Sequence, residues 1–96
     1  MAVACLGFFL PEARAEQKEL GWIERSSVEG ILAQFGHDNL RVVSGYKEAK
    51  DDPDDGPGWY ITARCKDKKT DEDYNASLWV SDDWKKGRVI SVRKRE

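Results

Sequence analysis

Histidine occurs once in this chain, at His37, and cysteine only twice, at Cys5 and Cys65. No Cys-x-x-Cys is present, and one histidine cannot complete a familiar Cys/His zinc site. No charge of one sign prevails. Charged residues make up 35% of the sequence, yet the formal net charge is -2. That balance excludes the broad basic face of a nucleic-acid binder and the polyanionic character of a solvating tail. Long apolar runs are also lacking. The only one, Ala2 to Leu10, is too short to span a bilayer. With 96 residues the chain has room for one domain with a thin core. Its ten per cent of aromatic residues, including four Trp, exceeds what a disordered segment carries.

The apolar run reads as part of a signal. Pro11 follows it, then Ala13-Arg14-Ala15, an A-x-A pattern of the kind signal peptidase cuts, and polar sequence begins at Glu16. The Lys or Arg that ordinarily precedes such a run is missing. The expectation is a signal peptide over 1–15 and a single domain over 16–96, with no stable membrane insertion after processing. Cys5 stands where a lipoprotein box would need it, but apolar Leu6 to Leu10 follows in place of a polar tether. Cleavage would leave Cys65 alone, and alternation along "WYITARC" makes it a buried thiol acting as a small hydrophobe.

Within the domain, "EQKELGWIER" reads as a short helix or an ordered arm. "RSSVEGILAQFGHDN" then predicts a helix over about Ser27 to Phe35. Ser26 is the cap and Glu29 the residue that reaches back to it. Val28, Ile31, Leu32 and Phe35 form one stripe, Gly30 weakens the helix, and Gly36 provides a left-handed stop. Four strands follow. In the first, Leu40, Val42 and Tyr46 face one way and Arg41, Val43 and Lys47 the other. The loop "KDDPDDGPG" leads to "GWYITARCKD". "YNASLWVS" points Tyr74, Ala76, Leu78 and Val80 inward, and "RVISVRK" points Ile90 and Val92 inward. Short polar turns favour an antiparallel meander. The fold class is therefore α+β, one short helix packed on a four-stranded antiparallel sheet.

From Ser26 to Arg93 this order resembles the PepSY-type domain, whose last hairpin reads as a strand, Asp, a few residues, Gly and a Val-rich strand. The matching positions are Leu78 to Asp82 and Gly87 to Val92. It is also similar to the SmpA/BamE-like outer-membrane lipoprotein domain, in which a "V-x-x-I-L-x-x-F-G" helix precedes a meander. Both resemblances imply a small extracytoplasmic module, periplasmic or secreted, that binds proteins and does no chemistry.

The residues carry little that would contradict this. Counting back from Gly56, "DDPDDG" places Pro53 where a calcium loop needs an oxygen ligand, so the loop reads as a solvated turn. His37 sits at the helix end, where a charged imidazole suits the dipole. The carboxylates lie in solvated turns that do not raise their pKa values. Asn75-Ala76-Ser77 matches a glycosylation sequon but falls inside a strand. The basic tail alternates its charges over both faces and reads as a protected edge. No catalytic residue, metal or cofactor is expected.

What remains is the outer sheet face, read as Val43, Tyr60, Thr62, Arg64, Ser77, Trp79 and Val89. Tyr60 and Trp79 are placed to pair across strands, unless an arm with Trp22 and Ile23 covers them. Trp84, at a turn tip, either makes a contact or folds back. Tyr, Trp and Arg anchor interfaces, so Tyr60, Arg64, Trp79 and Trp84 are the candidate binding residues, and the partner is another protein, not nucleic acid. The competing class is a cytoplasmic phage- or toxin-system antagonist whose apolar N-terminus is structural.

Overall fold

A computed structural model describes residues 17–95. The segment read as a signal, Met1 to Ala15, lies outside the described residues. Five strands form one antiparallel sheet in chain order: β1 Lys18–Glu19, β2 Leu40–Ala49, β3 Gly58–Asp67, β4 Asp73–Ser81 and β5 Gly87–Lys94. The helix α1, Trp22–Gln34, lies between β1 and β2 in sequence. The α+β meander with one helix is as expected. A fifth strand is added, because part of "EQKELGWIER" pairs with β2 through Lys18↔Lys47 and Glu19↔Tyr46. Two residues are too few to show alternation. The stretch is held instead by Leu20, which is buried and donates its N–H to Gly45 O at 2.9 Å.

The helix starts earlier than the Ser26 cap predicted. Gly21 is the N-cap, and Glu24, three residues on, accepts the Gly21 N–H at 2.9 Å. The same spacing recurs at Ser26 and Glu29, which fall inside the helix. Glu24 prevails because its second oxygen also receives Lys47, which reaches up from β2. The C-terminus is as read. Gly36 has φ of 93°, and His37 N–H donates to Leu32 O while Gly36 N–H donates to Ala33 O. This is a Schellman stop.

Two bulges decide which residues face the helix. Val42 opposes Cys65, but Ser44 opposes Arg64, so Val43 is an extra residue. Beyond it the parity of β2 is inverted. Gly45, opposite Ala63, and Lys47, opposite Ile61, lie on the helix side, while Tyr46 faces out. That reverses the expected placement of Tyr46 and Lys47. A second bulge in β5 lies between Val89, opposite Leu78, and Ser91, opposite Ser77. Val89 therefore joins the inner face, where it packs on the core, and Ile90 is exposed. Both differ from the simple alternation, which assigned Val89 outward and Ile90 inward.

The core holds Leu20, Val28 and Leu32 against Ile61, Ala63, Cys65, Ala76, Leu78 and Val80 from the sheet. Cys65 is buried, and desolvation pushes its thiol up to about 11. The Lys47 side chain, 16% exposed, passes through this layer. Its ammonium lies 4.6 Å from the Trp59 ring centre and bonds Glu24. The apolar stem is thus buried and the charge partnered.

Two glycines predict opposite outcomes. A Cβ on Gly45 would lie 2.6 Å from Thr62 O and 2.9 Å from Leu20 Cδ1. Gly45→Ala is expected to cost about 1–3 kcal/mol through overpacking. A Cβ on Gly30 meets nothing within 4 Å, so Gly30→Ala is expected to stabilise by about 0.5–1 kcal/mol. Urea unfolding of both variants checks the signs.

Candidate functional site

The sheet face away from the helix is built in rows by the strand register. The first row is Glu48, Tyr60, Trp79 and Arg88, and the second is Tyr46, Thr62, Ser77 and Ser91. The third is Ser44, Arg64, Asn75 and Arg93. The fourth holds Arg41, Lys66 and Asp73. Tyr60 and Trp79 are direct cross-strand neighbours as expected, and Arg64 follows two pleat repeats further along β3, beyond Thr62. Trp22 and Ile23 do not cover this face. They lie in the first turn of α1, and Trp22 is 70% exposed.

Trp79 is on the outer face but only 3% exposed. The loop between β2 and β3 covers it. Its indole N–H donates to Lys50 O at 2.9 Å. Beneath the ring, Gly58 leaves room that any side chain would fill, since a Cβ there would lie 2.3 Å from Trp79 Cζ2. Above it, the Arg88 guanidinium sits 5.0 Å from the ring centre, a cation–π contact. Arg88 also bonds Asp52, and it reaches Asp55 at 3.4 Å. Asp52 in turn accepts the N–H groups of Asp54 and Asp55 at 3.0 and 2.9 Å. The acidic loop, expected as a solvated turn, is a flap latched to the sheet. The hydrogen bond from Arg88 is the main cause holding the Asp52 carboxyl below its ordinary 3.8. The same bond raises Arg88.

Trp84 lies on the opposite side. It has φ of 64°, packs against the core and stands 6.0 Å from the Lys47 ammonium. It therefore folds back, away from Tyr60, Arg64 and Trp79. The structure thus brings three of the four candidate residues onto one face and leaves the fourth on the other.

The rest of the outer face is open. Tyr46 is 51% exposed, Val43 and Arg64 are exposed, and Tyr60 is half-buried. Among the described residues, Arg41, Arg64, Arg93 and Arg95 have no carboxylate within 4.0 Å, whereas Lys66 bonds Asp73 at 2.9 Å. A shallow depression of about 150 Å³ lies among Val43, Ser44, Arg64, Lys66, Asp73 and Arg95. The sequence reading singled out only Arg64 of this cluster, because Asp73 joins it through the pairing of β3 with β4 and Arg95 through its N–H bond to Asp73 O at 2.8 Å.

Among the described residues, no three His, Cys, Asp or Glu side chains converge where they could hold a metal ion. None of the described helices is long and apolar enough to cross a membrane.

Because Asp52 titrates lower in the folded chain than when free, the latch stabilises the flap above pH 3.8 and is lost as pH falls further. The Trp79 indole N–H signal in ¹⁵N-correlated NMR is expected to hold its position from pH 7 to pH 4 and to shift below that. Asp52→Asn should shift it already at pH 6. An unmoved signal in that variant would show that the latch does not hold the flap.

Searches against protein-family models, curated proteins and solved structures return no match to this chain.

Proposed function

We propose that this chain is an exported, non-catalytic binding or inhibitory module that docks another protein on the outer face of its sheet. The observation that carries this is the makeup of that face. It presents Tyr46, Tyr60 and Val43 beside arginines that have no carboxylate within 4.0 Å among the described residues. Interfaces favour this combination of aromatic area and guanidinium groups. Tyr60 and Arg64 offer contact surface directly. Trp79 acts from under the flap, by fixing its position over the first row. Trp84 serves the inner layer with Lys47. In this reading the domain is PepSY-like and periplasmic or secreted. The first strand begins at Lys18, so cleavage after Ala15 would leave every described element in place.

A photo-crosslinking residue placed at Thr62, in the middle of the open face, tests the reading in the native host. An adduct with protein is expected from Thr62, and its yield should fall several-fold when Arg64→Glu is added. The same probe at Gln34, on the helix, is the control. No adduct from Thr62, or equal adducts from both positions, would remove the outer face as the docking surface.

A further inference from the structure

The outer face is bipolar in charge and in shape. At one end the flap stands above the sheet over Trp79 and carries four aspartates, of which Asp52 and Asp55 are met by Arg88 and Lys86, leaving Asp51 and Asp54 without a cation within 4.0 Å among the described residues. Pro53 and Asp54 are exposed on it. At the other end lies the depression, where Arg64, Lys66 and Arg95, with Arg41 beside Lys66 on the next strand, outweigh Asp71 and Asp73. Arg64 and Arg95 are both close enough to act electrostatically on Asp73, so the guanidinium groups share one field. The row Tyr46, Thr62, Ser77 and Ser91 lies between the two ends. The Trp79 row is one step to one side of it and the Arg64 row one step to the other, each roughly 7 Å away at two residues of strand rise.

We infer that the partner of this face is a second copy of the same chain. A two-fold axis lying in the face along the Tyr46–Thr62–Ser77–Ser91 row turns one copy end for end against the other. Each acidic flap then seats in the basic depression of its mate, and the contact is made twice. The exposed Tyr46 and Thr62 meet their own counterparts at the axis. An unrelated polyanion fits the face less well. A nucleic acid or an anionic lipid surface would gain from the arginines at one end and be repelled by the aspartates at the other. A second copy supplies the opposite sign at both ends. The pairing rests on the reading of the outer face as a docking surface and names its occupant.

The full chain, as its host produces it, is to be examined by analytical ultracentrifugation across protein concentration and salt. A dimer at low ionic strength is expected, dissociating as salt rises toward roughly 0.5 M, where exposed charges are screened. Arg64→Glu and Asp54→Lys should each raise the dissociation constant at least about tenfold. The double variant carrying both should return to near the parent value, because both symmetric contacts regain opposite charges. Arg93→Glu provides a second basic-end variant should Arg64→Glu unfold, with the Trp79 indole signal reporting the fold. A monomer at every concentration, a dimer indifferent to these changes, or a double variant no better than its parents would overturn self-pairing. The Thr62 crosslink separates this from the broader reading. An adduct of twice the chain mass supports self-pairing. An adduct with a different protein overturns it while leaving the docking face intact.

Discussion

One extra residue in β2, Val43, shifts the pairing with β3 so that Val42 and Ser44 oppose adjacent residues, Cys65 and Arg64. A strand has a side-chain period of two, so an insertion of one moves every later side chain to the other face. Here that exchange puts Gly45 under Leu20 and sends Lys47 toward Glu24, while Tyr46 goes to solvent. The matching insertion at Ile90 keeps Val89 and Val92 both inward and sets Arg88 and Arg93 on the same outer face. The character of both faces follows from these two irregularities. Without the first, the helix would have no buried cation to meet its capping carboxylate. Without the second, Arg88 and Arg93 could not both stand on the outer face.

The second dependence is on Trp79. A large aromatic on the face opposite the helix has no second layer to enter, and truncating a buried Trp typically costs about 3–5 kcal/mol. The chain buries it with its own loop. Gly58 is the residue that lets the ring lie against the backbone of β3, and Lys50 O satisfies the indole. Two of the four aspartates of "DDPDDG" then find a use that their composition does not suggest. Asp52 organises the loop from within and joins Asp55 in holding Arg88. Surface ion pairs are weak singly, but these act on a cation already stacked on an aromatic ring. The latch therefore combines apolar burial with charge.

Much of the fold was legible because its signals are local. Gly36 after Phe35 marks the helix stop by backbone conformation alone, and the strand cores around Ile61 and Leu78 alternate without interruption. The legible part ends where a residue is decided by something distant. Glu24 and Glu29 sit three residues after a plausible cap, and only Lys47, more than twenty residues away, selects the first. β1 is two residues long and has no periodicity to detect. Bulges are equally invisible, since "LRVVSGYKEA" reads as smoothly without a break at Val43 as with one. The site was therefore legible only in part. Tyr60, Arg64 and Trp79 were placed on one face, because no bulge interrupts β3 and none precedes Trp79 in β4. The flap over Trp79 and the arginine cluster were not seen, because each needs contacts between segments that the sequence separates widely.

The two faces divide the labour by how their charges are handled. On the helix side Lys47 is enclosed, bonded to Glu24 and stacked on Trp59, so that charge is consumed within the domain. On the outer side the domain neutralises selectively. Lys66 and Arg88 each have a carboxylate, while Arg41, Arg64, Arg93 and Arg95 have none among the described residues. The chain does not lack acid to spend, since its net charge is -2 and aspartates crowd the flap at the far end of the same face. Unlike charges held apart on one surface leave interaction energy unrealised in the isolated domain, and a complementary surface recovers it on contact. In the proposed docking, the separation of the acidic flap from the basic depression makes the outer sheet face, rather than either of its ends, the unit that a partner would have to match.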